Sequence, residues 1–516
     1  MKKLMAFMVL SCCACVASPA GEKSNLVFDV TFGPHAVGFH VVQQYDYTRS
    51  YKRMDMEGNL VTGERARPIQ TLIWYPAQID KSAKPMAYGS YLDLLATEED
   101  FNLDPQYWPA RVTAALKASY NLKNYPREKV QLTRAYRDAH AEPGHFPVVV
   151  YAPSLSAPAF ENSDLCEYLA SHGYIVVASP DMGAHSRNMS IDLEGVLTQV
   201  ADIEFLIGYL KNIPEADLSH IAVAGFSWGG LSNVFAVMLD DRISAVVCLD
   251  GAVRYQAGVV KKARDAKLIN PNNLTAPLLY LSSKPYTMEE LDRLKFDVSY
   301  NFLNELRYND FYFVQSPIMI HPDFSSWFIR FREDHYFTEN TTDEVGQSYS
   351  WMARYTLQFL NAYLKDDASA MPFLKNDLEK NGVPRHLLTL ERREALHPAA
   401  NVPDFSRELA AQGFDKATDV YEKAKKNDPA FKLDEDEVNH WGYALLDINP
   451  AKAVAVFKIN AAMYPDSANT YDSLAEAQEA AGDQEGAIAN YRKSLQLNND
   501  NWHAKSRLKE LEAAKP

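Results

Sequence analysis

The sequence predicts an α/β fold, a mostly parallel β-sheet covered by helices on both faces, followed by a small all-helical unit. Three observations carry this. Short runs rich in β-branched residues at 146–151, 174–178, 220–224, 245–249 and 277–281 alternate with helix-like stretches; strands apolar on both faces belong to sheets buried on both sides. A Gly-x-Ser-x-Gly segment, Gly225-Phe226-Ser227-Trp228-Gly229, follows one of these strands directly and precedes the helical run 231–239. Near the C-terminus, Ala453, Phe457 and Pro465 stand 34 residues before Ala487, Tyr491 and Asn499, and Ala417, Tyr421 and Pro429 stand 36 before the first set. That spacing is the period of stacked helical hairpins of the tetratricopeptide kind.

At 516 residues the chain exceeds what one hydrophobic core usually organises, so a large domain and at least one smaller one are expected. A formal charge of -15 excludes binding to nucleic acid by phosphate neutralisation, and no nucleic-acid partner is expected. The first 20 residues read as an export signal: Lys2 and Lys3, an apolar run over 4–17, then small residues up to Ala20. The run is too short for a permanent bilayer span. The expected location is therefore periplasmic or extracellular. Cys12, Cys13 and Cys15 lie inside this signal, and Val9-Leu10-Ser11-Cys12 loosely resembles a lipoprotein cleavage box, which leaves lipid anchoring open. Cys166 and Cys248 fall in apolar segments, where a thiol acts as a small core residue, so no disulfide framework is indicated.

In chain order, 27–76 is strand-like, and 86–142, richer in Leu, Ala, Lys and Glu, reads as a mostly helical insertion able to roof a pocket. The parallel-sheet pattern follows. Apolar residues at helical spacing over 347–364 make a closing helix, and 370–405 is rich in proline and charge. The boundaries expected are 1–20 for the signal, 21–395 for the α/β domain and 406–516 for the repeats. Within the latter, 439–446 resembles the first helix of one unit and 468–501 a full second unit.

The motif at Ser227 is weak alone and gains weight from its context, because strand, sharp turn and helix are what a nucleophile elbow of the α/β-hydrolase fold requires. A serine hydroxyl needs a base to take its proton, and the base needs a carboxylate to orient it. In this fold the chain order is Ser, acid, His. Asp250 is the first acidic residue at a strand's C-terminal end after the elbow, at the edge that faces the ligand in open parallel sheets. Of the later histidines, His321 follows an apolar stretch and suits a loop that presents the base; His335, among charges, reads as a solvated surface residue. The oxyanion needs backbone donors. The N–H of Trp228 is the natural first, and Leu155, in the loop after the strand ending at Tyr151, the second. His185 stands at another strand's end and is more often structural than a pocket residue.

From about Phe32 to Leu364 the chain resembles bacterial relatives of platelet-activating factor acetylhydrolase. The resemblance rests on Ile73-Trp74-Tyr75-Pro76-Ala77, on Leu169-Ala170-Ser171-His172-Gly173-Tyr174-Ile175-Val176, on the elbow, on Leu249-Asp250 and on His321-Pro322-Asp323-Phe324-Ser325. It implies hydrolysis of short acyl esters, on a small-molecule or lipid substrate, with neither metal nor organic cofactor. It also implies that the acid follows the strand directly after the elbow, as Asp250 does. Where that family has His-Gly before the oxyanion-hole leucine, this chain has Pro153-Ser154. Two other readings compete: a peptidase or amidase on the same fold, and a module binding a protein partner, or a second copy, through the repeats beside an inactive scaffold.

Overall fold

The computed structural model describes residues 23–51, 63–80, 82–119, 122–333, 340–365, 367–396 and 401–513. The residues read as an export signal, Cys12 among them, and His335 lie outside the described residues. The chain divides into two compact units, one built from the residues up to Glu305 together with Asp310–Arg393, the other from Leu306–Asn309 together with the residues from Glu394 onward. The short piece 306–309 thus leaves the α/β domain in which the sequence reading had placed it.

The larger unit is organised on one sheet. Its strands are β1 (Ala36–Ser50), β2 (Ala66–Gln78), β3 (Ala135–Arg137), β4 (His140–Ala141), β5 (Phe146–Ala152), β6 (Ile175–Ala178), β7 (Ala216–Phe226), β8 (Ile243–Leu249), β9 (Leu278–Ser282), β10 (Phe311–Gln315) and β11 (Thr389–Arg393). Their order is β11-β10-β9-β8-β7-β5-β6-β2-β1-β3, with β4 beside β2. Pairing is parallel from β6 through β5, β7, β8 and β9 to β10, and antiparallel at β1–β2, β2–β6 and β10–β11. The swap of β5 and β6 puts β7 in the middle, with β5 and β8 on either side. Val148, Val149, Val150, Ala222, Val223, Ala224, Val246 and Val247 are all completely buried, as strands covered on both faces require.

The helices that cover the sheet start where the sequence allows. Asp192 accepts the N–H of Gly195 at 2.9 Å and opens Leu193–Tyr209; Thr341 and Glu344 form a reciprocal capping box that opens Thr342–Leu364. This closing helix begins five residues earlier than its apolar periodicity indicates, because the cap rather than the apolar face sets its start. The insertion at 86–142 holds the helix Trp108–Ser119 and several single turns, then ends in β3 and β4, which pair with β1 and β2. The edge strand β11 is a departure from expectation. Its residues, Thr-Leu-Glu-Arg-Arg, have no apolar alternation, and only the unpaired edge of β10 makes them a strand.

The smaller unit contains the helices Val402–Gln412, Ala417–Asn427, Glu435–Leu446, Pro450–Met463, Ala468–Ala480, Gln484–Leu497 and Trp502–Ala513. Every Ala and aromatic residue of the repeated register is buried: Ala417 and Tyr421, Ala453 and Phe457, Ala487 and Tyr491. Gly442 lies so close to the Phe457 ring that a Cβ there would overlap it, which explains a glycine in mid-helix. Among the described residues no helix is long and apolar enough to cross a membrane.

Candidate active site

The sharp turn after β7 places Ser227 at φ 54° and ψ −111°, a backbone region that costs a non-glycine residue of order 1–3 kcal/mol and persists only where the surroundings enforce it. Here they do. The Ser227 N–H donates to the carbonyl of Leu249 at 3.0 Å, and its carbonyl accepts from the N–H of Ala252 at 2.7 Å, so the turn is tied to the end of β8 on both sides. The two following glycines are steric necessities. A Cβ on Gly229 would run into the Ala152 carbonyl at the end of β5, and one on Gly230 would sit 2.7 Å from the Cα of Gly251. The helix Trp228–Leu239 therefore starts in contact with both neighbouring strands.

Asp250, Ser227 and His321 come together at the C-terminal edge of the sheet. His321 Nε2 is 2.8 Å from Ser227 Oγ, and His321 Nδ1 is 2.6 Å from Asp250 Oδ2. The other Asp250 oxygen accepts the N–H of Ser283 at 3.1 Å, and its own N–H donates to Leu281 at 2.6 Å. The carboxylate is completely buried, whereas the imidazole is 24% exposed. One face of the ring packs on Phe226, with centroids 4.9 Å apart. His321 opens a single helical turn, His321–Phe324, that Asp323 caps by accepting the Ile320 N–H at 2.8 Å. Arg332 pairs with that Asp323 carboxylate. The apolar residues before His321 are a connection, not a strand; the strand is β10, five residues further back.

The loop after β5 is held by two buried acids. Glu161 accepts the Ser154 N–H at 2.8 Å and the Ser154 hydroxyl, and Asp181 accepts the Ser156 N–H at 2.7 Å. Between these anchors the Leu155 N–H has no hydrogen-bond partner among the described residues, and neither has the N–H of Trp228, at the first position of its helix. Burial pushes the Glu161 carboxyl up to about 7 and that of Asp181 well above the usual carboxylate range. Neither acid was singled out in the sequence. Glu161 sits among small and polar residues with no motif, and only its burial marks it.

A cavity of about 310 Å³ opens beside this loop, with Ser156, Trp327 and Leu95 in its wall together with the charged Glu98, Arg111 and Arg187. His185 is exposed and is not part of its wall. Cys166 and Cys248 are free thiols buried in the core. Chemically, a hydroxyl hydrogen-bonded to an imidazole that is itself hydrogen-bonded to a buried carboxylate is a proton-transfer line, and two unpaired N–H groups are donors for an anion.

Three comparisons with known proteins bear on this site. The chlorophyllase family model matches residues 137–265, a stretch that contains Ser227 and Asp250 and stops short of His321. A putative carboxymethylenebutenolidase of Methylorubrum extorquens is 26% identical over 108 residues, 19% of this chain and 37% of that protein. Chlorophyllase-1 of Citrus unshiu is 32% identical over 120 residues, 21% of this chain and 34% of that protein. The chain thus spans about a third of the length of these curated relatives. Among solved structures, a ferulic acid esterase from Streptomyces cinnamoneus superposes with a TM-score of 0.47 at 18% identity, over 68% of this chain and 95% of that one. With the elbow after the central strand, acid after the next, histidine after the last parallel one and the order β1-β2-β6-β5-β7-β8-β9-β10 behind them, the larger unit has the α/β-hydrolase fold.

Proposed function

We propose that this protein is a serine hydrolase of carboxylic esters, with Ser227 as nucleophile, His321 as general base and then acid, and Asp250 as the group that orients the imidazole. The observation that carries the reading is the unbroken line Ser227 Oγ, His321 Nε2 and Nδ1, Asp250 Oδ2, with steps of 2.8 and 2.6 Å. As Ser227 Oγ attacks the carbonyl carbon, its proton passes to His321 Nε2, and the charge that appears on the carbonyl oxygen is met by the N–H groups of Leu155 and Trp228. Collapse of the tetrahedral intermediate expels the alkoxide, which takes the proton from His321. Water then attacks the acyl-serine by the same route, His321 again accepting a proton and returning it to Ser227.

The chlorophyllase family model, which spans Ser227, and the similarity to a putative carboxymethylenebutenolidase support ester chemistry over amide chemistry. The resemblance to bacterial relatives of platelet-activating factor acetylhydrolase favours a short acyl group. The helical unit is proposed to be a tetratricopeptide-like array that takes a protein partner or a second copy, and the protein to be exported, with lipid anchoring at Cys12 as a variant of that fate. The test is turnover of p-nitrophenyl esters from acetate to octanoate by the purified protein and by Ser227→Ala. Hydrolysis that is fastest on short chains and lost in the variant supports the proposal; equal rates in both overturn it.

A further inference from the structure

One buried dipeptide links two parts of the site that come from distant stretches of chain. Glu161 is completely buried. Its Oε1 accepts the Ser154 hydroxyl, and its Oε2 accepts both the Ser154 N–H and, at 3.3 Å, the Tyr151 hydroxyl. On the other side, the Glu161 carbonyl accepts the N–H of Trp327 at 3.0 Å and the hydroxyls of Ser325 and Ser326, both at 3.3 Å. Asn162 completes the bridge. Its amide donates to the Phe324 carbonyl at 2.9 Å and to the Tyr151 hydroxyl at 2.6 Å, and its carbonyl oxygen accepts the Ser326 N–H at 2.7 Å. The residues on one side of this bridge adjoin Leu155. Those on the other directly follow the turn that carries His321.

We propose that Glu161 is a positioning residue that fixes the Leu155 N–H above Ser227 and, through the shared hydrogen bonds of Glu161 and Asn162, holds this donor in register with the imidazole of His321. The proposal rests on the serine-esterase reading above. The physical argument is one of acceptor count. Two donors of Ser154 converge on a carboxylate that has an oxygen for each, in a site without solvent, and an unsatisfied donor there is costly. An amide in its place supplies one acceptor and turns a donor toward the remaining one, so the loop has to shift. A shift of the Leu155 N–H weakens binding of the developing oxyanion more than binding of the ground-state ester. His321 is the charged or titratable group that faces Glu161 from the opposing segment, and Tyr151 the one from β5.

The experiment compares wild type, Glu161→Gln, Ser154→Ala and Ser227→Ala on p-nitrophenyl butyrate at a pH above the value of about 7 to which burial pushes the Glu161 carboxyl, so that both of its oxygens accept. A trifluoromethyl ketone, whose adduct with Ser227 places an oxyanion in the same hole, is the inhibitor. Loss of one oxyanion donor costs about 100- to 1,000-fold, so Glu161→Gln is expected to lower kcat by about 30-fold or more with KM within about threefold, and to raise the ketone's Ki by a similar factor. Ser154→Ala keeps the N–H bond and loses only the hydroxyl bond; it folds with less disturbance and is expected to lower kcat by about three- to tenfold with a matching rise in Ki. A Glu161→Gln enzyme within about threefold of wild type in kcat overturns the proposal, and so does a loss of kcat with an unchanged Ki. Hydrolysis that survives Ser227→Ala overturns the esterase reading itself. Glu161→Gln at the wild-type rate with Ser227→Ala inactive overturns this inference alone.

Discussion

The two units of this protein are built on contacts of opposite range. In the helical unit, Ala453, Phe457, Ala487 and Tyr491 are buried between helices adjacent in sequence, and each hairpin is completed by its neighbour. In the sheet unit, residues separated by 94 positions, Ser227 and His321, meet across strand ends that have no local relation. The first arrangement spreads stability over many local contacts. The second gathers the groups of the proposed reaction from a few distant positions, with Ser227 and Asp250 both at positive φ.

The contrast is broken most directly at the distant contacts. Asp250→Asn retains the shape of the side chain and disturbs the imidazole tautomer that accepts the serine proton; kcat is expected to fall by about 10⁴-fold while the folded state persists, as circular dichroism would report. Phe457→Ala acts on the other unit. Emptying a fully buried ring site costs about 3–5 kcal/mol, seen as an earlier denaturation midpoint for the helices, with the ester-hydrolysis rate per folded molecule retained.

A subtler comparison sets Glu167 beside Glu161. Both are fully buried, and burial pushes both carboxyls up to about 7, but Glu167 lies in the core, where it accepts from the Tyr91 hydroxyl and the Arg134 N–H, each at 2.7 Å. A carboxyl raised from 4.5 in the unfolded chain to about 7 in the folded one holds its proton more tightly when folded. Its contribution is therefore fully present below pH 4.5 and is lost as pH rises through 7. Glu167→Gln should remove that part of the slope: stability measured by urea denaturation at pH 5 and pH 7 is expected to fall less for the variant than for wild type. A variant with the wild-type slope would show that Glu167 does not titrate in this range. The smallest effect belongs to a helix end. Asp483 accepts the N–H of Gly486 at 2.9 Å, and Asp483→Ala is expected to cost about 1 kcal/mol, visible in the melting of the helical unit and absent from kcat.

Much of this was legible in the chain. The parallel strands announced themselves as apolar runs, because burial on both faces leaves no polar alternation, and the elbow was marked by glycines that no other residue could replace beside Ala152 and Gly251. Ser227 was read from the Gly-x-Ser-x-Gly motif between strand and helix, Asp250 from its place at a strand's end, and His321 from the apolar stretch before it. What stayed hidden were features without a local signature. Strand β11 exists because β10 offers an unpaired edge, the start of the helix Thr342–Leu364 was set by a cap, and 306–309 joined the smaller unit against the reading of its neighbours.

By itself the sequence determined the layers, the elbow and the repeat register, since each depends on side chains within one turn or one strand. Only the tertiary structure decided how far the imidazole stands from the hydroxyl, which N–H groups remain unpaired, and that Glu161 lies beneath the loop bearing one of them. The first and the last of those are relations across 94 and 7 positions. Even the shortest depends on burial, and burial is a property of the folded chain rather than of any segment of it.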